Sequence, residues 1–381
     1  MPPGLYIHVP FCIRKCPYCD FYSTEDLSFQ QAYADALVRE MSLRASFIPD
    51  AAFDTVYLGG GTPSTLDPST LGRILEAAHR HFSIDPAAEI TMEANPGTVA
   101  PKTLSACRSV GVNRINIGVQ SFNDKNLAFL GRIHSAQQAK DSIYAARRAG
   151  FENIGLDLIY GLPGQDAASW QKDLSCAAAF APSHISCYML TMEEGTKMAK
   201  DRDAKKFTPL CEELVSSMFL QASEYLCSAG YQHYEISNFA LSDKTRSAHN
   251  QKYWKNASYV GLGPSAHSYI EPERSWNHRS LHRYIRAVCQ NRLPTEDSEH
   301  LAGSQLMIEA LYLGLRQSDG IDIKKFENRF KKNFHQMLAP QLDHLASSGL
   351  LSLTTRTCRP TLQGMLYMDS IVSRLVAQTP G

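Results

Sequence analysis

Three cysteines near the amino terminus have the spacing of a metal-binding loop. They are Cys12, Cys16 and Cys19, in the arrangement C-x3-C-x2-C directly after an apolar run. Three thiolates suit a [4Fe–4S] cluster with one open iron, since a closed cubane takes four protein ligands. A structural zinc ion is the alternative, but zinc needs a fourth ligand to complete its tetrahedron. His8 is poorly placed for that role in a strand four residues upstream, and Asp20 is a less common structural ligand.

Polar residues recur near the carboxyl ends of several apolar, strand-like runs. Gly59-Gly60-Gly61-Thr62-Pro63 ends the second run, and Glu93, Gln120 and Asp157 lie near the ends of the next three. A carboxylate inside a buried strand is costly unless it is paired, and parallel barrels bind ligands at the carboxyl ends of their strands. Consecutive glycines let backbone N–H groups approach an anionic group. These residues predict one polar ligand over the mouth of a barrel.

Short apolar runs alternate with amphipathic stretches through the first half of the chain. The strand-like runs are 5–9, 55–58, 89–93, 114–119, 153–159 and 184–190. The helical patterns between them lie near 28–45, 69–82, 101–110, 135–149 and 166–180. This alternation predicts an α/β fold with a parallel sheet covered by helices. The high Ile, Val and Leu content of the runs is typical of a sheet that is buried on both faces.

The second half of the chain is less regular. A long helix is predicted to open at Thr208-Pro209, with threonine as its N-cap, and to end near Cys227. Residues 231–300 are mixed and rich in aromatic residues and histidines. Further on, the patterns predict helices at 301–316, 322–332 and 336–348, a strand pair near 350–353 and 358–360, and a last helix from about Thr361. They indicate a small, mostly helical, winged-helix-like appendage.

Composition and charge exclude several classes of protein. Lys+Arg and Asp+Glu are both 38, and zero net charge argues against a general nucleic-acid binder, which shows a basic excess. The amino terminus has no signal-peptide pattern, and no run approaches the ~18 apolar residues of a membrane span. We therefore expect a cytoplasmic protein with reduced thiols, for which peripheral contact with a membrane is left open.

The seven cysteines outside the cluster motif stand singly in apolar patterns. We expect them to be small buried residues, as unpaired cysteines commonly are. They are Cys107, Cys176, Cys187, Cys211, Cys227, Cys289 and Cys358.

These features together resemble the radical S-adenosylmethionine (SAM) superfamily. Tyr6-Ile7-His8-Val9-Pro10-Phe11-Cys12, with Cys16-Pro17-Tyr18-Cys19-Asp20-Phe21, narrows the resemblance to the oxygen-independent coproporphyrinogen oxidase-like branch. The resemblance extends from Leu5 to roughly Tyr269 and implies a partial (β/α)6, TIM-like barrel. A small, mostly helical C-terminal domain would follow the barrel.

The resemblance implies roles for residues that match the branch. The three cysteines would hold the cluster, and the amino and carboxylate groups of SAM would chelate the open iron. Tyr6 would lie beside the cluster. The implied SAM contacts are Gly60, Gly61, Thr62, Glu93, Gln120, Arg132 and Asp157. Only the resemblance singles out Arg132, and a solvated arginine at a helix end is its alternative. The segment around His267 matches one that approaches SAM.

A second motif separates members of this branch. His249-Asn250-Gln251-Lys252-Tyr253-Trp254, an H-N-x-x-Y-W sequence, resembles the signature of HemW-type haem chaperones, and Phe21 stands where the oxidase has a fourth cysteine. Neutral imidazole is a common axial ligand of haem iron, and Tyr253 and Trp254 offer flat apolar faces to a porphyrin. A hydrogen-bonded structural corner is the alternative. The sequence does not choose a second ligand among the nearby histidines.

The resemblance implies a haem chaperone that binds haem, a [4Fe–4S] cluster and SAM, and delivers haem to acceptor proteins. A reductase or ferredoxin-type electron donor would be a further partner. We expect residues 1–230 to form the barrel, 231–300 a haem-binding segment packed on it, and 301–381 the C-terminal domain. The alternatives are a coproporphyrinogen III oxidase, a radical SAM methyltransferase and a zinc-stabilised binding module.

Overall fold

Six parallel strands form the centre of the computed structural model, which describes residues 1–46 and 52–377. They are β1 Gly4–Val9, β2 Phe53–Gly60, β3 Ile84–Ala94, β4 Arg114–Gln120, β5 Asn153–Tyr160 and β6 His184–Met189. The strands lie side by side in chain order, each parallel to the next. Further strands lie outside β1 and β6, so the sheet does not close on itself. The predicted α/β fold with a partial (β/α)6 barrel is confirmed.

Eight helices accompany this sheet in the described part of residues 1–230. They are α1 Gln30–Ala45, α2 Pro68–His81, α3 Pro101–Ser109, α4 Asp124–Phe129, α5 Ala136–Arg148, α6 Ala167–Ala179, α7 Lys197–Asp203 and α8 Glu212–Ser228. Their starts follow local capping chemistry. The Asp67 carboxylate, for example, accepts the N–H groups of Ser69 and Thr70, and Pro68 fills the first turn of α2.

The predicted start of the long helix at Thr208 is wrong. The helix α8 begins at Glu212, and its N-cap, Cys211, has an extended backbone. Leu210 packs against the barrel core in the preceding extended segment, and this tertiary contact outweighs the local capping signal. Glu212 and Glu213 occupy the first turn instead, where their charges favour the helix dipole.

The two faces of the sheet differ in polarity, although most strand residues on both faces are buried, as the sequence predicts. Leu5, Ile7 and Val9 of β1 are fully buried in the core under the helices. The alternate positions carry polar side chains that share rows across the strands. One row joins Tyr6, Tyr57, Thr91 and Arg114, a second joins His8 and Gly59, and a third joins Glu93, Asn116 and Gly155. The barrel interior is therefore polar, which suits a bound polar ligand.

Residues 231–300 extend the sheet at both edges. The elements are β7 Gln232–Glu235, β8 Asn238–Ala240, α9 Ala248–Trp254, β9 Tyr259–Leu262, β10 His267–Ile270, β11 Glu273–Asn277, α10 Leu281–Cys289 and β12 Thr295–His300. Strand β8 joins β6 at one edge and carries β7 outside it. At the other edge β9 pairs parallel with β1, and β10 to β12 follow antiparallel.

The C-terminal region has a separate apolar core beside a small sheet of order β13-β15-β14. Its elements are α11 Gly303–Leu315, β13 Ile321–Asp322, α12 Ile323–Phe330, α13 Phe334–Leu338, α14 Gln341–Ser347, β14 Leu351–Leu353, β15 Thr357–Pro360, α15 Leu362–Leu366 and α16 Met368–Val376. The helix predicted over 336–348 is interrupted at Pro340, because a residue before proline disfavours the helical conformation and Ala339 is extended. The strand pair and the helix after Thr361 are confirmed.

The prediction that the seven single cysteines are buried is wrong for Cys211, Cys227 and Cys289, which are exposed. Cys211 precedes α8, Cys227 lies near its end, and Cys289 ends α10, so none of them faces the core. Across residues 1–46 and 52–377, none of the helices is long and apolar enough to cross a membrane.

Candidate functional site

The three cysteines of the predicted cluster lie on a closed loop after β1. The N–H of Cys12 donates to the carbonyl of Thr24 at 2.9 Å, and the N–H of Thr24 donates to the carbonyl of Pro10 at 2.7 Å. Within the loop, the N–H of Cys19 donates to the carbonyl of Cys16 at 3.1 Å. All three thiols are free; Cys12 is buried and the other two are half-buried. The loop therefore holds the thiols at the carboxyl end of the sheet.

The glycine turn after β2 packs directly on this loop. The Gly61 N–H donates to the carbonyl of Val9 at 2.8 Å, and the Thr62 N–H donates to that of Phe11 at 2.7 Å. A Cβ on Gly61 would lie 2.8 Å from both of these carbonyl oxygens, so the position requires glycine. The Thr62 hydroxyl lies 3.4 Å from the thiol of Cys12. Because these two amides are used inside the chain, they are not free to donate to an anionic group, and a ligand would contact this turn through its other atoms.

Burial keeps the thiols of Cys12 and Cys19 protonated when no metal is bound. It raises the pKa of Cys12 and raises the pKa of Cys19 to about 11. Because a metal ligand must be the thiolate, cluster assembly has to release these protons.

The geometry disfavours the zinc alternative. In the described residues, no three His, Cys, Asp or Glu side chains converge closely enough to hold one metal ion. Both ring nitrogens of His8, a candidate fourth ligand, are within hydrogen-bond distance of other groups, the Tyr22 carbonyl oxygen at 2.9 Å and the Tyr6 hydroxyl at 3.1 Å. Each cysteine of a [4Fe–4S] cluster binds a different iron, so its thiols stand further apart than the ligands of a single zinc ion.

The carboxylates of Glu93 and Asp157 lie on the inner face of the barrel. The Tyr57 hydroxyl donates to Oε1 of Glu93 at 2.7 Å, and the Gly60 N–H donates to Oε2 at 3.3 Å. Burial raises the pKa of Glu93 to about 7. The Asn116 amide donates to Oδ2 of Asp157 at 2.6 Å, and burial raises the pKa of that carboxyl as well. These carboxylates sit on β3 and β5, two strands apart.

Gln120 and Arg132 meet above β4. A Cβ on Gly118 would lie 2.8 Å from the Gln120 amide nitrogen and 3.3 Å from the Arg132 guanidinium, so both side chains lie over this glycine. The guanidinium also donates to the Gly118 carbonyl at 2.8 Å and to the thiol of Cys16 at 3.5 Å. Arg132 therefore joins β4 to the cysteine loop, rather than standing in solvent at a helix end.

The strand ends have unused polar atoms that fit a zwitterionic ligand. Oδ1 of Asp157, Oδ1 of Asn116 and Nε of Arg132 are buried and have no hydrogen-bond partner in the described residues. Leaving such atoms unpaired costs about 1–3 kcal/mol each, so a ligand with matching ammonium, carboxylate or hydroxyl groups would be stabilised here. SAM has groups of these kinds, and the residues present fit it.

Tyr57, Asn116 and Arg114 also lie in the barrel interior and were not among the predicted site residues. A polar residue at every second position of the strands could have indicated them, since alternate side chains point to the same face. Arg114 is buried, and its Nε lies 3.8 Å from the Glu89 carboxylate.

His249 lies at the other end of the barrel from the cysteines. Its Nδ1 is 2.8 Å from the Thr55 hydroxyl near the start of β2, and its Nε2 is 3.0 Å from the Tyr253 hydroxyl. The ring also stacks on Tyr57 with centroids 5.1 Å apart. Burial lowers the pKa of His249 to about 3, so the imidazole is neutral at neutral pH. The residue is 1% exposed, as expected for the structural-corner alternative.

Helix α9, which carries His249, makes polar contacts with the chain near the starts of the strands and with the C-terminal region. The buried ammonium of Lys252 pairs with Asp54 and donates to the Pro2 carbonyl. The side chain of Gln317 donates to the carbonyl of Trp254 at 3.0 Å. Arg316 lies over the Trp254 ring, 5.4 Å from its centroid. The H-N-x-x-Y-W helix therefore lies between the barrel and α11.

A three-cysteine loop above an open parallel barrel with a polar interior defines the class of radical SAM proteins. The Radical SAM superfamily matches residues 6–177, and the HemN C-terminal domain matches residues 301–367. The chain is 35% identical to the heme chaperone HemW of Lactococcus lactis over 92% of this chain and 91% of that protein. It is 30% identical to HemW of Bacillus subtilis over 98% and 99% of the two chains.

The chain belongs to the HemW family of radical SAM proteins. Its fold is also that of the Escherichia coli coproporphyrinogen III oxidase HemN, with a TM-score of 0.85 and 24% identity over 98% of this chain and 90% of that one. Membership of the radical SAM superfamily implies a [4Fe–4S] cluster and SAM as cofactors. When bound, this pair supplies one-electron chemistry that side chains alone do not provide.

Proposed function

We propose that this protein is a haem chaperone, which binds haem and passes it to acceptor proteins. The observation that carries the proposal is the presence, in one chain, of a three-cysteine loop without a fourth cysteine and the H-N-x-x-Y-W helix. Relatives that share nearly the full length of the chain are named heme chaperones. Phe21, at the position of the fourth cysteine, is 65% exposed and does not provide a thiol.

The cofactor end of the barrel would be built from the residues that the strand ends bring together. We propose Cys12, Cys16 and Cys19 as cluster ligands. The proposed SAM contacts are Gly60, Gly61, Thr62, Glu93, Gln120, Arg132 and Asp157, and Tyr6 is proposed to lie beside the cluster. The unpaired atoms on Asp157, Asn116 and Arg132 support this assignment. A cavity of about 410 Å³ beside Cys16 and Cys19, with Lys15 and Arg279 in its lining, would give an electron donor access to the cluster.

The haem end would use His249 as an axial ligand. A neutral imidazole is the form that binds iron, and burial keeps His249 neutral. Its Nε2 would have to exchange the Tyr253 hydroxyl for iron, and α9 would have to open to admit the macrocycle. We propose residues 1–230 as the barrel, 231–300 as the haem-binding segment and 301–381 as the C-terminal domain, in a protein that works in the cytoplasm.

Haem titration beside an oxidase assay tests this proposal. Anaerobically reconstituted protein should be brown with about four irons per chain, bind haem with a saturable Soret shift, and lose that haem to an added haem-free acceptor. It should leave coproporphyrinogen III unchanged in the presence of SAM and a reductant. Conversion to protoporphyrinogen IX, or a protein that binds no haem, would contradict the assignment.

A further inference from the structure

Tyr57 stands between the proposed SAM site and the proposed haem ligand. Its hydroxyl donates to Oε1 of Glu93 at 2.7 Å, and its ring stacks on His249 with centroids 5.1 Å apart and planes at 28°. Glu93 lies near the carboxyl end of strand β3, whereas His249 lies on helix α9 near the starts of the strands. One buried side chain thus touches a residue of each site.

The packing leaves Tyr57 little freedom to adjust. A Cβ on Gly59 would lie 2.8 Å from the Tyr57 ring and 3.1 Å from the Glu93 carboxyl carbon, so both groups press against that glycine. Tyr6 stacks on the Tyr57 ring, with centroids 6.2 Å apart. A shift of the phenol at the Glu93 end would therefore be passed to the ring that covers His249.

The charge of Glu93 sets how firmly the phenol is held. The second donor to this carboxyl, the Gly60 N–H, is longer at 3.3 Å, so Tyr57 is its main donor. Burial raises the pKa of Glu93 to about 7, so both protonation states are populated near neutrality. A cationic ligand group beside Glu93 would hold it ionised, and a hydrogen bond to a charged acceptor is roughly twice as strong as a neutral one.

We propose that Tyr57 is a positioning residue that couples ligand binding at Glu93 to the ring of His249, so that SAM and haem weaken each other's binding. The inference rests on the proposed function. With Glu93 ionised, Tyr57 is anchored and keeps His249 against Thr55 and Tyr253. An imidazole that must leave these contacts to reach iron then binds haem less tightly. By linkage, haem lowers the affinity for SAM by the same factor.

The test is a haem titration with and without SAM on cluster-reconstituted protein, without reductant so that SAM stays intact. Saturating SAM should raise the Kd for haem about fivefold in the unaltered protein, the lower end of measured couplings. Tyr57→Phe keeps the stacked ring and loses only the hydroxyl, so its ratio of the two Kd values should fall to about one. Equilibrium dialysis should show that Tyr57→Phe still binds SAM.

Tyr284→Phe is the matched control. The Tyr284 hydroxyl also donates to a buried carboxylate at 2.7 Å, that of Glu40, but it lies between α1 and α10. This variant should lose similar stability and keep the fivefold ratio. The coupling is overturned if the fivefold ratio of the two Kd values persists in Tyr57→Phe. It is also overturned if the ratio is one in the unaltered protein with both ligands bound. Either result leaves the proposed haem binding intact. Failure of the unaltered protein to bind haem overturns the proposed function and the coupling with it.

Discussion

The imidazole Nε2 of His249 lies 3.0 Å from the hydroxyl oxygen of Tyr253, one turn further along α9. The other ring nitrogen lies 2.8 Å from the hydroxyl of Thr55 on β2. Both nitrogens of the proposed haem ligand are therefore engaged inside the protein. Iron and the Tyr253 hydroxyl compete for the same nitrogen, so the affinity for haem depends on the strength of this internal hydrogen bond.

Tyr253→Phe should bind haem more tightly. The substitution keeps a flat ring and removes the competing hydroxyl, which contributes about 1 kcal/mol net, so the Kd for haem should fall about fivefold. Tyr231→Phe, which loses a buried hydroxyl bond of 2.8 Å to the Pro182 carbonyl, is the control and should leave the Kd unchanged. Weaker haem binding by Tyr253→Phe would show that this hydroxyl helps to hold haem rather than competing with it.

Each of Cys12→Ser, Cys16→Ser and Cys19→Ser should abolish the brown colour and most of the about four irons per chain after reconstitution, because a serine oxygen replaces a thiolate ligand poorly. Iron and acid-labile sulfide analysis measures the result. Cys227→Ser removes an exposed thiol on α8 and should keep the full iron content. Equal iron in all four variants would remove these three cysteines as ligands.

Gly61→Ala should separate the glycine turn from the cysteine loop. The added methyl group would lie 2.8 Å from the carbonyl oxygens of Val9 and Phe11, and the overpacking should cost about 1–3 kcal/mol. We expect a lower melting temperature and less than half of the normal iron content. Gly303→Ala meets no atom within 4 Å and serves as the control. Normal iron content in Gly61→Ala would contradict the role given to this contact.

The stability of the cofactor-free protein should fall between pH 4.5 and 7, partly through Glu93. Burial raises the pKa of this carboxyl from 4.5 to about 7 in the folded state, with Tyr57, Asp157 and Arg114 as its titratable or charged neighbours. Folding therefore takes up a proton in this range, and the stabilisation present below pH 4.5 is lost as the pH rises through 7.

In Glu93→Gln, the loss of unfolding free energy between the two pH values should be smaller by about 2 kcal/mol. This figure allows for screening by solvent, because the Glu93 side chain is half-buried. Urea unfolding at pH 4.5 and 8 measures the change. Glu235, whose pKa burial also raises to about 7, remains in both proteins, so some decline should persist. Parallel declines in the two proteins would show that Glu93 does not titrate in this range.

The barrel could be predicted because its signals are local. The runs that became β1 to β6 are apolar and separated by helical patterns, and the cysteine spacing is contained in one loop. The row of Tyr6, Tyr57, Thr91 and Arg114 was not predicted. Tyr6, Tyr57 and Thr91 each lie between apolar neighbours in the sequence, so the run appears apolar although one face of the strand is polar.

The place of α9 could not be predicted from the sequence. Its contact with Thr55 depends on the parallel pairing of β9 with β1, which joins residues 255 positions apart, such as Gly4 and Tyr259. Nothing in the local pattern of residues 231–300 selects one edge of the sheet for β7 and β8 and the other for β9. The burial of His249 likewise follows from tertiary packing, since the motif alone suits an accessible ligand equally well.

Soret titration of reconstituted His249→Ala tests whether the cluster-bearing barrel binds haem through His249. The matched control is His184→Ala, which removes another buried histidine bonded to a tyrosine hydroxyl, that of Tyr234 at 2.8 Å. We expect His249→Ala to bind haem at least tenfold more weakly or with an altered Soret band, while His184→Ala keeps the normal spectrum and affinity. Unchanged haem binding by His249→Ala would contradict this role of His249.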